Sequence, residues 1–296
     1  MKALVTGIGG FTGSYLAEAL VKRGIAVAGV SQAPESVENV DRIHVADIAD
    51  VAALRDVVLE EKPDFVVHLA AISLVVHEDV NEIYRTNLLG TRNLMEALMS
   101  LGSPPRSVLI ASSSNVYGNR NEGIMRESMA PDPVNDYSVS KVAAEMVAGL
   151  YRARLPICIV RPFNYTGVGQ SSSFLIPKIV DHARAGASKI RLGNLDVARD
   201  YSDVRFIAEA YCRLLQSPDS LNQTVNVSSG RAYRLDEILG MVAEISGRMM
   251  DVEVDPALVR QNEVRKLWGD SSFLDRLVGP ITRIPLDETL SWMLKA

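Results

Sequence analysis

The sequence predicts an α/β protein built on a doubly wound parallel sheet. Short, continuously apolar stretches alternate with helical stretches through the first half of the chain. Strands that are covered by helices on both faces are apolar along their whole length. A glycine-rich turn also joins the first apolar stretch to the first helix, as it does in folds that bind a dinucleotide.

Each element is indicated by its residue pattern. Apolar stretches of strand length occur at 2–5, 25–30, 65–69, 107–111 and 157–161. Helical spacing of apolar residues begins at 11 and recurs over 51–61, 81–101 and 137–154. After residue 164 the regularity weakens, and polar loops are expected at 167–173, 193–200 and 255–263. We therefore expect a dinucleotide-binding domain over 1–164. A smaller, mainly substrate-binding region is expected over 165–296, with segments that return to the first domain.

Composition limits the classes of protein. The chain has 296 residues, of which 47% are hydrophobic, so it can bury a large core. Its net charge of −5 argues against a protein that binds nucleic acid or an anionic membrane. No apolar run is long enough to span a bilayer, and Cys158 and Cys212 lack a CxxC spacing. We expect reduced thiols and a cytoplasmic location. The histidines show no metal-ligand spacing, so no metal is expected.

Residues 6–13, TGIGGFTG, have the pattern of a phosphate-binding turn. Gly7 permits the tight turn, Gly10 lets the backbone approach a pyrophosphate, and Gly13 lets the helix pack closely on the strand. Phe11 and Thr12 begin the helix, whose N-terminus carries partial positive charge toward the phosphates. The position of this turn between a strand and a helix makes the pattern specific for a dinucleotide.

The end of the second strand usually decides between NAD and NADP. This position is Ser31, followed by Gln32, and neither side chain repels a 2′-phosphate. NADP(H) is therefore favoured, with NAD(H) as the alternative. Asp47 and Ile48, after a short third strand, are candidates for contact with the adenine. Asp47 could equally cap the helix that follows.

A candidate reactive centre combines Tyr137 and Lys141, four residues apart on one predicted helix, with Ser113 at the end of a strand. A free phenol has a pKa of about 10, and a nearby ammonium favours its ionised form. Tyr137 would exchange a proton with a carbonyl oxygen, and Ser113 would align that carbonyl. Lys141 would also hold the nicotinamide ribose. An exposed helix with a surface lysine is the alternative interpretation.

The sequence resembles the extended short-chain dehydrogenase/reductase family. The matching segments are TGIGGFTG, HLAA at 68–71, TNLLGT at 86–91, SSSNVYG at 112–118, YSVSK at 137–141 and RPFN at 161–164. The resemblance implies that Leu69, Ala70, Ala71 and Asn87 lie along the cofactor. It also implies that Pro162 borders the nicotinamide. His68 is then a strand residue.

The second half is similar to members of this family that bind GDP-sugars. Residues 192–201, LGNLDVARDY, resemble one of their segments, and residues 260–264, RQNEV, resemble another in which proline replaces the glutamine. The similarity implies that Arg199 and Arg260 contact the diphosphate or base and that Glu263 binds a ribose hydroxyl. Arginine suits a phosphate because its donors form a planar fork. Further substrate-side candidates are Ser73, Ser114, Asn115, Asn164, Lys178, Gly193 and Asn194.

The resemblance implies reduction of GDP-4-keto-6-deoxy-D-mannose to GDP-D-rhamnose by NAD(P)H. In dehydratases of the family, a glutamate two residues after the Ser or Thr acts as a base, and Asn115 at this position cannot do so. The alternatives are formation of GDP-6-deoxy-D-talose, dehydration of GDP-mannose, 4-epimerisation, or a non-catalytic NADP-sensing role. A homodimer formed through the helices at 81–101 and 137–154 is also expected from the resemblance.

Overall fold

The computed structural model describes residues 1–73, 77, 79–119, 122–259 and 264–296. The strands are β1 (Lys2–Thr6), β2 (Ala26–Ser31), β3 (Arg42–Val45), β4 (Phe65–His68), β5 (Ser107–Ala111), β6 (Gly123–Met125), β7 (Ile157–Pro162), β8 (Asn164–Thr166), β9 (Lys189–Leu192), β10 (Ala198–Asp203), β11 (Thr224–Val227), β12 (Ala232–Arg234), β13 (Asp251–Val254) and β14 (Lys266–Gly269). The helices are α1 (Phe11–Val21), α2 (Val51–Glu61), α3 (Val80–Tyr84), α4 (Gly90–Leu98), α5 (Asp136–Gly149), α6 (Leu175–Arg184), α7 (Val204–Gln216), α8 (Leu235–Ser246), α9 (Ser272–Val278) and α10 (Leu286–Lys295).

The main sheet of the described residues has seven strands, all paired in parallel, in the order β11-β7-β5-β4-β1-β2-β3. The chain moves outward from β1 in one direction through β2 and β3, and in the other through β4, β5 and β7. The predicted parallel α/β fold is confirmed. Because parallel strands end at the same edge, the loops after β1, β4, β5 and β7 lie side by side.

The core lies on both faces of this sheet. Val5 of β1 belongs to an apolar cluster with Leu16 of α1 and Phe206 of α7, whereas Leu4 belongs to another with Leu54 of α2 and Leu94 of α4. Successive strand residues point to opposite faces, so one strand contributes to both clusters. This explains why the strands are apolar throughout their length.

The second half supplies further layers and one strand of the main sheet. A second sheet has the order β12-β10-β14-β6, with β8 paired to β10, and β9 pairs with β13. Helices α6, α8 and α10 pack around a third apolar cluster. Strand β11 returns to pair with β7. The predicted loop at 193–200 is partly wrong, because its last residues begin β10 and pair with β12 and β14.

Two predicted helices differ from the structure. The helix predicted over 81–101 is divided into α3, a π-helical turn at Arg85–Leu89 and α4. In this turn Asn87 uses its side chain to bind the backbone of Ile72, and Thr91 donates to the Asn87 carbonyl oxygen. The helix predicted over 137–154 ends at Gly149. A glycine has low helix propensity, and the chain continues there in turns.

Asp200 on β10 joins three separate segments. Its buried carboxylate accepts hydrogen bonds from the backbone N–H groups of Ser229, Gly230 and Gly269, and from the Ser229 hydroxyl. Burial raises the pKa of Asp200 to about 6, although these hydrogen bonds oppose the rise. The carboxylate therefore connects β10 with β14 and with the loop after β11.

We expect Asp200→Ala to lower the free energy of unfolding by roughly 2 kcal/mol at pH 7, because several buried donors lose their acceptor. The folded-state pKa lies above the ordinary value, so the contribution of this group to stability falls as pH rises from about 4 to about 6. The loss should therefore be about 1 kcal/mol larger at pH 5. Denaturant unfolding measures both values, with the exposed Asp219→Ala as control. An unfolding midpoint equal to wild type would contradict this role.

Candidate active site

A cleft of about 910 Å³ opens at the carboxyl edge of the main sheet and continues between the second-half loops. The sequence-predicted residues that line it are Gly7, Gly10, Phe11, Thr12, Gly13, Leu69, Ala71, Ser73, Ser113, Ser114, Asn115, Tyr137, Lys141, Pro162, Asn164, Lys178, Gly193, Asn194 and Arg199. The cofactor-side and substrate-side candidates thus share one cleft.

The glycine turn at the inner end of the cleft leaves no space for side chains. Gly7 has a φ of +71°, and a Cβ there would lie 2.7 Å from the backbone nitrogen of Ala70. A Cβ on Gly13 would lie 2.1 Å from the carbonyl oxygen of Ile8. Helix α1 starts directly after Gly10, and no side chain caps it. Its first N–H groups are therefore available for an anion, which fits a dinucleotide pyrophosphate.

The three residues of the candidate reactive centre come from two neighbouring elements. Ser113 lies two residues after the end of β5, and Tyr137 and Lys141 lie in the first two turns of α5. The Asn135 side chain caps α5 by accepting from the Ser138 N–H at 2.8 Å. All three side chains are buried, with 6–7% of each residue exposed. Lys141 Nζ donates to the carbonyl oxygen of Ala111 at 2.9 Å.

Burial controls the ionisation of this centre. It raises the pKa of Tyr137 to about 12, although the hydrogen bond with Ser113 opposes the rise. Burial lowers the pKa of Lys141 to about 8, and Glu145 opposes that change. The expected fall of the Tyr137 pKa toward neutrality is not found in this structure, because desolvation raises that pKa and Lys141 is not among the groups that lower it. The phenol keeps its proton at neutral pH.

Asn115 lies two residues after Ser113 at the same edge. Its backbone N–H and its side-chain nitrogen both donate to Ser113 Oγ, each at 3.2 Å. Because Oγ accepts twice from Asn115, the hydrogen bond between Ser113 and Tyr137 uses the hydroxyl hydrogen of Ser113. Residue 115 therefore offers a carboxamide and not a carboxylate at this position, and a carboxamide cannot remove a proton from carbon.

Several predicted cofactor residues do not line the cleft. Ser31 ends β2, and Ile48 is buried against Gly90. Asp47 accepts from the Ala49 N–H and pairs with Arg85. The cap of α2 is Asp50, so the capping interpretation of Asp47 is wrong.

Ala70 and Asn87 lie behind the cleft. The Ala70 N–H donates to Thr6 Oγ1, and the Asn87 side chain bonds to Ile72 and Ser140. The contacts of these residues are with the protein, and their predicted contacts with the cofactor stay predictions.

The substrate-side candidates form the outer wall. Gly193 lies against the backbone of Leu258, where a Cβ would be 2.1 Å from the carbonyl oxygen. Lys178 Nζ donates to the Arg191 carbonyl oxygen at 2.7 Å, and Arg199 Nη1 donates to that of Ala198 at 2.9 Å. Arg260 and Glu263 lie outside the described residues.

Sequence reasoning missed several residues of this region. Tyr165 lines the cleft, its hydroxyl bonds with that of Thr12 at 2.8 Å, and its ring stacks on Phe11. Its place directly after RPFN could have indicated this position. The Glu35 carboxylate lies against the glycine turn, since a Cβ on Gly9 would be 1.8 Å from Glu35 Oε2. Only the fold of the loop after β2 brings Glu35 next to Gly9.

The described residues contain neither a membrane-spanning helix nor a metal-binding cluster. No helix among them is long and apolar enough to cross a bilayer. No group of three or more His, Cys, Asp or Glu residues in the described ranges is placed to hold a metal ion.

Comparison with known proteins identifies relatives over the whole chain. The family model for GDP-mannose 4,6 dehydratase matches residues 4–293. A GDP-6-deoxy-D-talose 4-dehydrogenase of Aggregatibacter actinomycetemcomitans is 34% identical, with 94% of this chain and 92% of that protein covered. A GDP-6-deoxy-D-mannose reductase of Pseudomonas aeruginosa is 31% identical, with 99% and 96% covered.

Solved structures share the fold. A proposed epimerase from Burkholderia cenocepacia J2315 has a TM-score of 0.92 and 46% identity, with 99% of this chain and 97% of that chain covered. The structure of RMD from Pseudomonas aeruginosa, complexed with NADPH, has a TM-score of 0.86 and 30% identity, with 99% and 96% covered. The motifs, the cleft and these matches agree. This chain belongs to the GDP-mannose 4,6-dehydratase family of extended short-chain dehydrogenase/reductases.

Proposed function

We propose that this protein reduces the 4-keto group of GDP-4-keto-6-deoxy-D-mannose to form GDP-D-rhamnose, with NAD(P)H as reductant. The observation that carries the proposal is the shared cleft: a protonated phenol and a serine hydroxyl face the same space as a glycine turn suited to a pyrophosphate. The names of the two relatives, a GDP-6-deoxy-D-mannose reductase and a GDP-6-deoxy-D-talose 4-dehydrogenase, support a GDP-sugar as substrate.

The proposed mechanism uses three side chains. The reduced nicotinamide, when bound, supplies the hydride for C4. Ser113, whose hydroxyl hydrogen bonds with Tyr137 in this structure, would donate that hydrogen to the keto oxygen and orient it. Tyr137 gives its proton to the same oxygen as negative charge develops there. Lys141 donates one N–H to the Ala111 carbonyl oxygen, so two N–H donors remain for the ribose hydroxyls. Its positive charge would stabilise the phenolate that forms when Tyr137 gives up its proton.

Asn115 favours reduction over dehydration. A dehydratase must remove a proton from C5, and a carboxamide has no basic group for that step. The substrate would lie with its diphosphate toward Lys178 and Arg199, and with its nucleoside toward Asn194. The contacts of Arg260 and Glu263 stay predictions from the sequence. The arginines would contribute planar donor sets for phosphate or base.

GDP-6-deoxy-D-talose is the second candidate product, because the relative from Aggregatibacter bears that name. The two products differ only in the C4 configuration, which depends on the face of the keto group that meets the nicotinamide. An epimerase would use the same three residues without net consumption of NAD(P)H, and a sensor would turn nothing over. Nicotinamide absorbance with the keto-sugar separates these roles, and the proton coupling at C4 identifies the product.

We expect Tyr137→Phe to lower kcat by at least about 100-fold, because it removes the proton donor and retains the ring. NADPH binding, measured by fluorescence titration, should be unchanged. Tyr151→Phe is the matched control, since the Tyr151 hydroxyl bonds with Glu96 away from the cleft. Full activity of Tyr137→Phe would rule out Tyr137 as the donor.

We propose that the enzyme accepts NADPH in preference to NADH, and that Glu35 limits this preference. Ser31 carries no charge to repel a 2′-phosphate, and the NADPH complex of the Pseudomonas protein supports NADP(H). The Glu35 carboxylate, however, lies beside Gly9 on the turn that faces β2, where the adenosine ribose binds in such domains. A negative charge there opposes the 2′-phosphate.

Glu35→Gln should raise the ratio of kcat/KM for NADPH to that for NADH about fivefold, the effect of removing roughly 1 kcal/mol of charge repulsion. Glu38→Gln, an exposed glutamate of the same segment, is the control. Steady-state kinetics with both cofactors measure the ratio. An unchanged ratio would mean that Glu35 does not face the 2′ position.

We propose a homodimer in which α5 packs against its copy. Met146 and Leu150 at the end of α5 are 70% and 80% exposed, and Leu89 in the preceding π-helical turn is 48% exposed. The π-helical turn packs against α5, and exposed apolar side chains on two packed helical segments are typical of an interface. The resemblance to dimeric members of the family supports the same surface.

The double substitution Met146→Glu and Leu150→Glu should convert the dimer to a monomer of 32.3 kDa, because it buries charge in the proposed contact. Sedimentation equilibrium measures the mass. Met249→Glu is the control, since Met249 is 88% exposed on another part of the molecule. A monomeric wild type, or a double variant that stays dimeric, would refute this interface.

A further inference from the structure

A buried ion pair lies directly behind the reactive centre. Glu145 and Arg161 have side chains that are 10% and 7% exposed, and their charged atoms approach to 2.7 Å. Arg161 Nε and Nη2 donate to the two carboxylate oxygens of Glu145, at 2.9 and 2.7 Å. Neither residue is among those that line the cleft.

The ion pair connects the elements that carry the reactive residues. Glu145 lies on α5, one turn after Lys141 and two turns after Tyr137. Its Oε1 also accepts from the Ser112 hydroxyl at 2.5 Å, and Ser112 lies between Ala111, the partner of Lys141, and Ser113. Arg161 precedes Pro162, which lines the cleft at the end of β7. One carboxylate therefore ties α5 to the ends of both β5 and β7.

We infer that Glu145 is a positioning residue: its buried carboxylate holds Lys141 and Tyr137 in register with Ser113 and keeps Lys141 protonated. This role rests on the proposed function of these three residues and adds a fourth residue to it. A buried ammonium is costly unless a negative charge lies nearby. Glu145 supplies that charge from within the same helix.

Other groups around Lys141 do not replace Glu145. His68 on β4 has its pKa lowered to about 3 by burial and by Lys141, so it is neutral at pH 7. Tyr137 is protonated, and β5 contributes the uncharged Ala111 carbonyl. Arg161 on β7 is neutralised by Glu145 and also donates to the Tyr117 hydroxyl at 3.1 Å. Burial lowers the pKa of Lys141 to about 8, and Glu145 is the group that raises it.

The test is a titration of Lys141 that does not depend on turnover. In full-length protein labelled with [13C]ε-lysine, the Lys141 signal is assigned by its loss in Lys141→Arg and followed with pH. Wild type should titrate near pH 8, and Glu145→Gln should titrate roughly one to two units lower, because the compensating charge is lost. The pH at which kcat/KM for the keto-sugar falls on the alkaline side should decrease by the same interval in Glu145→Gln. In wild type, kcat/KM should fall as pH rises through about 8.

Three further variants separate charge from packing. Glu145→Asp keeps the charge and should titrate within about 0.5 units of wild type. If Glu145→Gln unfolds, Glu145→Gln combined with Arg161→Gln removes both buried charges and should fold, with a smaller downward shift of the Lys141 midpoint, because the opposing charge of Arg161 is lost as well. Glu61→Gln removes a buried glutamate paired with Lys2 and His44, away from the cleft, and should change neither profile.

The outcomes are distinct. A Lys141 midpoint unchanged in folded Glu145→Gln, or in the folded double variant, overturns the positioning role, whatever the substrate. If the midpoint shifts as expected but wild type does not oxidise NADPH with the keto-sugar, the positioning role holds and the proposed substrate is wrong.

Discussion

The cleft depends on one constraint, which is that neighbouring parallel strands end at the same edge of their sheet. Strands β1, β4, β5 and β7 are distant in sequence but lie in the contiguous order β7-β5-β4-β1. The loops that follow them carry Gly7, Leu69, Ser113 and Asn164 into one space. A change of strand order would scatter these residues, even if every local motif were kept.

Burial is the second physical effect that shapes the site. It disfavours the charged forms of both Tyr137 and Lys141. It thereby keeps the phenol protonated and lowers the pKa of Lys141 to about 8, close to neutral pH. A protonated phenol suits the delivery of a proton to a developing alkoxide. The lysine, by contrast, needs compensation, and the Glu145–Arg161 pair lies where it can provide it. The ion pair and the reactive centre therefore form one electrostatic unit.

Local patterns predicted the first half of the chain well. The glycine turn depends on the φ of Gly7 and on close approach at Gly13, and both requirements are visible as glycines at fixed spacing. The helix over 51–61 was predicted at its observed bounds, because its apolar spacing is local, but its cap, Asp50, was not identified. The π-helical turn in the following helix was missed; there the Asn87 side chain bonds with the backbone of Ile72, a contact outside the helix that the apolar spacing does not record.

The sequence by itself determined the parallel α/β class, the phosphate turn, and the spacing of Tyr137 and Lys141 on one helix, because each leaves a local pattern in the chain: alternating apolar strands and helices, glycines at fixed spacing, and a four-residue interval. The tertiary structure alone decided that β11 joins the main sheet, that Asp200 holds distant loops together, and that Glu145 pairs with Arg161. It also decided the ionisation of Tyr137. Those features depend on burial and on contacts between distant segments, which no local pattern records.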